Sequence, residues 1–518
     1  MGQELFLVID CGTQSVRALL YDSQGSLVGK EKIEIELYFS EYPGWAEQNP
    51  ELYWEKACKA CKKLKTKQAD RWNDILGVSV TTQRDTGVNV DKEGNPLRPA
   101  IIWLDQRMAK CVEPLPLIDH LMFSVVGMQK TVEITRKKSK SNWIRENQPD
   151  IWDKTHKYML LSGFMTYKLS GRMVDSIASQ IGHIPFDYKN KCWPESPNNY
   201  RYKVFGIEME KLPELVEPGT LVGHISEMVS EETGIREGVL VVASGSDKGC
   251  ETLGVGCTDA QSASLSFGTT ATVQTSSKTY IEPISFMPAY PAVIPDYYNP
   301  EVEIFRGYWM ISWFKKEFAM REMIEAEEKQ ILPETILNER LNDIPPGSHG
   351  LILQPFWGPG LKSPEAKGSV IGFGDVHTRA HLYRAIVEGI NYGLIDGLKK
   401  IEKKSGNQIK KLMVSGGGSQ SDSICQITAD MFNCPVYRGQ TYETSGLGAA
   451  INGFVGIGLY SSHVEAVGKM VHYCDIFEPN QKNVEIYQHL YHHVYKKIYH
   501  KLSGLYKEIQ RITHYPEL

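Results

Sequence analysis

One hairpin constrains this chain more than any other stretch. Phe6-Leu7-Val8-Ile9 is an apolar run that ends in Asp10-Cys11-Gly12-Thr13, and a second apolar run follows from Val16-Arg17 to Asp22. A carboxylate at the end of a buried strand is costly unless something pairs with it. Gly12 lets backbone N–H groups close on an anion, and Thr13 and Arg17 add donors. The Asp10 carboxylate is a hard oxygen ligand suited to Mg²⁺, directly or through its waters. Alone, the stretch also reads as a tight hairpin with a surface acid. It is not alone: Ala263-Ser264-Leu265-Ser266-Phe267-Gly268-Thr269 runs into Ala271-Thr272-Val273, again strand, Gly-Thr, strand, about half a chain later. Two such hairpins point to two similar domains facing each other across a cleft, with a polyphosphate gripped from both sides.

The length supports the duplication. A chain of 518 residues is too long for one core, and two domains of about 250 residues are expected. A net charge of -5 argues against a dedicated nucleic-acid or membrane-surface binder. The basic cluster Arg136-Lys137-Lys138-Ser139-Lys140 reads as a solvated helix start or a substrate-side patch. No apolar run approaches the roughly 18 residues that span a bilayer, and Glu4 and Asp10 interrupt the place of a signal peptide. A cytoplasmic protein is expected. The ten cysteines read as reduced thiols; Cys58 and Cys61 lie in a helical pattern without the partners a zinc site needs.

Along the chain, Leu27 to Leu37 reads as a third strand. Asn49 and Pro50 then open a helix to about Lys65, as N-cap and first helical residue. Ile75 to Thr82 is a buried strand ending in Gln83-Arg84-Asp85, and Trp103-Leu104-Asp105-Gln106-Arg107 follows. Polar and aromatic groups at strand ends are where open α/β sheets bind ligands. Trp103 can lie on the C–H face of a polyol while Arg84, Asp85 and Asp105 bond its hydroxyls. An internal ion-pair network among Arg84, Asp85, Asp105 and Arg107 fits equally well. Thr135 to Gly171 reads as helical and Asn190 to Lys203 as a loop. Gly238 to Asp247 reads as a strand ending in a carboxylate beside small residues, a position for a general base. Met413 to Gln420 is a strand entering a glycine-rich turn, a candidate adenine shelf before a helix from Asp422. Ser445-Gly446-Leu447-Gly448-Ala449-Ala450 opens a helix whose small residues permit close packing, and Val484 to Ile512 is an amphipathic tail helix. The P-loop, dinucleotide and hydrolase-elbow motifs are all missing.

The ordered set Asp10, Gly12, Thr13 and Arg17; Gly44, Trp45, Glu47, Gln48 and Pro50; Gln83, Arg84 and Asp85; Trp103, Asp105 and Arg107; Asp247; Gly268 and Thr269; and the glycines from Gly416 resembles the FGGY family of carbohydrate kinases. Gly368-x-Val370-x-Gly372 and the His381 to Glu388 stretch are similar to its second signature. The resemblance implies two duplicated actin/hexokinase-like (ribonuclease H-like) α/β domains facing a central cleft. Residues 1–256 would form a sugar-binding domain with the first phosphate hairpin, and 257–518 a nucleotide-binding domain ending in the tail helix. It implies ATP-dependent phosphorylation of a hydroxyl of a small sugar or polyol, a pentulose-like ketose or a glycerol-like polyol, with Mg²⁺. Asp247 then matches the base and Asp10 the metal-organising acid. Thr13, Arg17, Gly268 and Thr269 match phosphate contacts; Gly417, Gly418 and Ser421 match the adenine side; Arg84, Asp85 and Trp103 match substrate contacts. Lys248 stands where relatives carry an amide, and Tyr308 where they carry glycine. These two departures keep a catalytically silent sugar or nucleotide sensor as the alternative. No nucleic-acid or membrane partner is implied, and a homodimer is left open.

Overall fold

The computed structural model describes residues 4–36, 38–285, 287–357 and 365–515. The chain divides into two units, each built on a six-stranded mixed sheet. The first unit takes Met1–Gly256, Tyr290–Asn299 and Thr444–Val471. Its sheet uses β1 (Leu5–Cys11), β2 (Ser15–Asp22), β3 (Leu27–Glu34), β4 (Ile75–Thr82), β5 (Leu221–His224) and β6 (Leu240–Val242). Their spatial order is β5-β6-β4-β1-β2-β3. Strands β1, β4 and β6 run parallel; β2, β3 and β5 run against their neighbours. β1 is buried along its whole length, which explains its unbroken apolar reading.

The second unit takes Cys257–Ala289, Pro300–Glu443 and His472–Leu518. Its strands are β7 (Ser262–Phe267), β8 (Ala271–Thr275), β9 (Glu301–Ile304), β10 (Lys411–Ser415), β11 (Val436–Gly439) and β12 (Tyr473–Phe477), in the order β9-β8-β7-β10-β11-β12. The pattern repeats the first sheet: an antiparallel meander of three strands, two strands parallel to its first member, and an antiparallel edge. The duplication inferred from two Gly-Thr turns is therefore a duplication of sheet topology.

Local signals explain most elements. Asn49 accepts a hydrogen bond from Glu51 N and Pro50 takes the first turn of a helix that runs to Lys67. Strand β4 has the expected bounds. The helix Asp422–Phe432 follows the glycine turn, with Ser421 as its N-cap. Thr444–Gly456 is a helix packed backbone to backbone on the helix Asp247–Gly254. A Cβ at Gly448 would sit 1.8 Å from the Cys250 carbonyl oxygen, and one at Gly254 1.9 Å from that of Thr444.

Five readings change. Asp247 does not end a strand: β6 stops at Val242, and Asp247 is the first residue of a helix capped by Ser246. The β-branched run hides a Ser N-cap with an acid behind it. The Thr135–Gly171 stretch is several short helices interrupted by a strand at Lys157–Leu160, where apolar residues pair with Gly87–Val90. Tyr200–Phe205 is a helix capped by Asn199, inside the stretch read as loop. The third strand stops at Glu34, and Leu37, its expected end, lies outside the described residues. The tail carries a π-turn at Tyr491–Tyr495 between Gln481–Leu490 and Lys496–Thr513. Among the described residues, no helix is long and apolar enough to cross a membrane.

Candidate active site

In the first unit, the carboxyl ends of β1, β4 and β6 carry most of the polar residues singled out above. Asp10 and Arg17 face each other across the β1–β2 ladder, and Arg17 Nη1 donates to Asp10 Oδ2 at 2.9 Å. Asp10 is buried, so this pairing answers the cost of placing a carboxylate there. Gly12 N donates to Ser15 O at 3.0 Å and closes the turn.

Thr13 sits in a ring of hydrogen bonds. Its hydroxyl donates to Gln83 Oε1 at 2.5 Å and accepts from Trp103 Nε1 at 2.9 Å. Gln48 Nε2 donates to the Thr13 carbonyl at 3.0 Å, and Tyr53 bridges Gln48 and Gln83. Trp103 is thereby tied to the β1–β2 hairpin through its indole N–H. Gln48 and Gln83 occur in the sequence motifs, but nothing local marks them as partners of Thr13.

Asp105 and Arg107 are internal. Arg107 reaches Asp105 Oδ2 at 2.7 Å and Glu47 Oε1 at 2.7 Å, and lies 3.8 Å over the Trp45 ring. Arg98 joins the same Glu47 at 2.5 Å. The ion-pair network is thus real for this half of the set, and it holds the segment that presents Trp103. Arg84 and Asp85 go elsewhere.

Arg84 Nε lies 3.3 Å from Ser246 Oγ and 4.0 Å from Asp247 Oδ1, with its guanidinium 5.0 Å over the Tyr290 ring. Asp85 instead holds Lys140 and His183, both at 2.9 Å from Oδ2. Burial alone would raise the Asp85 carboxyl, but Lys140 and His183 together hold it well below the usual carboxylate range. Lys140, the last residue of the basic cluster, is buried rather than solvated.

Asp247 opens its helix, where the N-terminal dipole favours a negative charge. Its Oδ1 accepts from Lys248 N at 2.8 Å. Burial pushes its carboxyl up, while Arg84 and Lys248 pull it down and Glu251 adds to the rise. Asp247 and Lys248 both lie in the first turn of this helix rather than on opposite faces of a strand. Lys248 Nζ reaches Glu251 Oε2 at 2.8 Å.

In the second unit, the turn after β7 presents Gly268 and Thr269, whose carbonyls accept from Tyr308 N at 3.1 Å and Trp309 N at 3.3 Å. The glycine turn after β10 lies against the same strand end. Gly416 has φ +78°, and a Cβ there would lie 2.9 Å from Phe267 C and O. Nothing stands within 4 Å of a Cβ on Gly417, which leaves that shelf open. Under Gly418, the Tyr308 ring stacks on Phe267 with centroids 4.9 Å apart. A Cβ on Gly418 would come within 2.5 Å of that ring. Tyr308 is 7% exposed, so this departure enters the core beneath the shelf. Ser421 uses its hydroxyl as a helix cap, accepting from Ile424 N at 3.3 Å.

His183, Lys140, Ser246 and Tyr290 escape a linear reading. His183 lies 98 positions from Asp85, and only the glycine before it hints at a close approach.

Residues 5–254 match the N-terminal domain model of the FGGY family of carbohydrate kinases, and 263–457 match its C-terminal domain model. The uncharacterized sugar kinase YgcE of Escherichia coli K12 is 28% identical over 99% of this chain and 94% of its own. The xylulose kinase of Lactococcus lactis is 29% identical over 98% and 97%. The crystal structure of gluconate kinase from Lactobacillus acidophilus superposes with a TM-score of 0.81 at 20% identity, over 98% of this chain and all of the other. That likeness gives the same two-domain α/β fold. With both family models matched in order along the chain, this protein belongs to the FGGY family and is a carbohydrate kinase.

Proposed function

We propose that the chain transfers the terminal phosphoryl group of ATP to a hydroxyl of a small sugar or polyol, a ketose such as a pentulose or a glycerol-like polyol, with Asp247 as the base. One observation carries the reading. Three neighbouring parallel strands, β1, β4 and β6, bring Asp10, Arg84 and Asp247 to one carboxyl edge of one sheet. Open α/β sheets bind ligands beyond that edge.

Arg84, Asp85 with its partners Lys140 and His183, and Trp103 serve the acceptor. Asp247 orients the hydroxyl and takes its proton as transfer completes, since phosphoryl-transfer transition states are loose and the proton leaves late. Burial that raises its carboxyl makes it a better proton acceptor, and Arg84 keeps it ionised. Thr13 and Arg17 in the first unit serve as phosphate contacts. Gly268 and Thr269 take that role in the second, with Gly417, Gly418 and Ser421 on the adenine side. Magnesium asks a protein for one or two carboxylates and keeps several waters. Asp10, a single buried acid beside the Thr13 turn, fits that demand. Bound there, the ion would neutralise charge developing on the phosphates.

The test is coupled ADP release over a panel of ketoses and polyols. The wild type releases ADP only with an acceptor, and Asp247→Asn lowers that rate by at least about 100-fold while ATP binding holds. Turnover retained in D247N would remove Asp247 as base. No acceptor-stimulated ADP in the wild type would remove the phosphorylation reading.

A further inference from the structure

The acceptors of Asp85 are occupied by the protein itself. Oδ1 accepts from His183 N at 2.9 Å, and Oδ2 from the His183 ring at 2.9 Å and from Lys140 Nζ at 2.9 Å. Lys140 also donates to the Asp85 carbonyl, and Asp85 N donates to Ile181 O at 3.0 Å. One carboxylate therefore clasps both the backbone and the ring of a single histidine. The clasp leaves no space: a Cβ on Gly182 would lie 2.6 Å from Asp85 Oδ1, and Asp85 itself holds a φ of 49°.

This clasp sets the histidine tautomer. The Lys140 ammonium and the hydrogen bonds from His183 keep the carboxylate ionised, and an ionised carboxylate can only accept. The imidazole must place a proton on Nδ1, so in its neutral form the ring presents Nε2 as an acceptor. Among the described residues Nε2 has no hydrogen-bond partner, and the side chain is 34% exposed. It is neither a core residue nor a free surface one.

The backbone just before the ring is linked through two tyrosines to Arg84. The Tyr188 hydroxyl bonds both ends of the Gly182 residue, at 3.3 Å from its N and 3.2 Å from its O. Tyr188 meets Tyr290 edge-on at 5.8 Å, and Tyr290 lies under Arg84, which faces Asp247. Adjacent residues 84 and 85 thus set one cation against Asp247 and hold one imidazole.

We propose that His183 is a substrate-contacting, specificity-determining residue whose Nε2 accepts a hydrogen bond from one hydroxyl of the sugar or polyol, with Asp85 as its positioning residue. The assignment rests on the kinase reading above and names the contact that Asp85 makes through its partner. A site built to bond a hydroxyl rejects the analogue lacking it, because the buried acceptor is left unpaired.

The test compares wild type, His183→Asn and His183→Gln with the accepted substrate and its monodeoxy analogues. Asn keeps the donor to Asp85 and loses the Nε2 position; the longer Gln amide reaches it. H183N raises the acceptor KM about tenfold with kcat and the ATP KM within a few-fold, and H183Q recovers part of the loss. With one deoxy analogue, wild type and H183N become equal. An unmoved acceptor KM, or an equal loss for every analogue, overturns the proposal, as does a lowered Tm with the acceptor KM unchanged. The ¹⁵N resonance of His183 Nε2, assigned by its loss in H183N, gives a readout without turnover. A shift on titration with a panel member while no ADP is released sinks the kinase reading and keeps the contact. Turnover with no shift at saturation does the reverse, and absence of both sinks both.

Discussion

Lys248 follows the proposed base directly, yet its ammonium is held by Glu251, one helical turn on. The pair tunes Asp247 rather than blocking it. Burial raises the Asp247 carboxyl, Arg84 and Lys248 oppose the rise, and Glu251 reinforces it. Removing the lysine charge therefore leaves the proton more tightly held, so at a given acidic pH less of the base is ionised. Lys248→Gln moves the acid limb of the kcat/KM profile to higher pH, and Glu251→Gln moves it lower, each with kcat at neutral pH within a few-fold. Limbs that coincide in wild type and both variants would show that Asp247 does not set that limb. At this scale the sequence marked Asp10, Arg17, Arg84 and Asp247 as candidates, because an acid or a cation at the end of an apolar run is locally odd. It could not divide Arg84 and Asp85 from Asp105 and Arg107. Which ion pairs form depends on partners such as Glu47, Lys140 and His183, which lie tens of residues away.

Among elements, the helix Asp247–Gly254 decides where the proposed base stands, and two glycines hold it. Gly448 and Gly254 let its backbone touch that of Thr444–Gly456, while Asn452 Nδ2 donates to Ala243 O at 2.9 Å just before the Asp247 turn. A methyl group at 448 meets a carbonyl oxygen, which cannot swing away as a side chain could. Gly448→Ala is expected to cost about 1–3 kcal/mol or more by overpacking. It should also lower kcat, since the proposed base shifts with its helix. Gly504→Ala is the control. No atom lies within 4 Å of its Cβ position, and alanine favours a helix by up to about 1 kcal/mol, so Tm should hold or rise. Equal Tm for G448A and wild type would discard the backbone contact as a constraint. The small residues of Ser445 to Ala450 announced close packing but could not say against what, because Cys250 lies about two hundred positions earlier. The strand reading at Asp247 failed for a local reason: the apolar run from Val239 masked the Ser246 cap.

At the scale of the molecule, two sheets of matching topology show how much two Gly-Thr turns conveyed, since each turn marks the first hairpin of one sheet. The return of the chain was not legible. The first unit is closed by Thr444–Val471, which comes after most of the second unit. Phe6 and Phe454 meet at 5.4 Å, a Cβ on Gly453 would strike the Phe6 ring, and Gly446 lies against Leu19. The same cluster buries Tyr21, Val242 and Leu253 with Leu447 and Ile451. Each of Phe6, Leu19, Val242 and Leu253 contributes about 1.5–3 kcal/mol when buried. Losing that cover would take most of the roughly 5–15 kcal/mol by which a domain is stable. A fragment of residues 1–256 should therefore bind a hydrophobic dye and lack a cooperative unfolding transition. The same fragment joined by a flexible linker to residues 444–471 should regain one. Cooperative unfolding of 1–256 alone near the Tm of the full chain would mean that the returning helices lean on a sheet already stable without them, and that the Asp247 helix is positioned from the strand side.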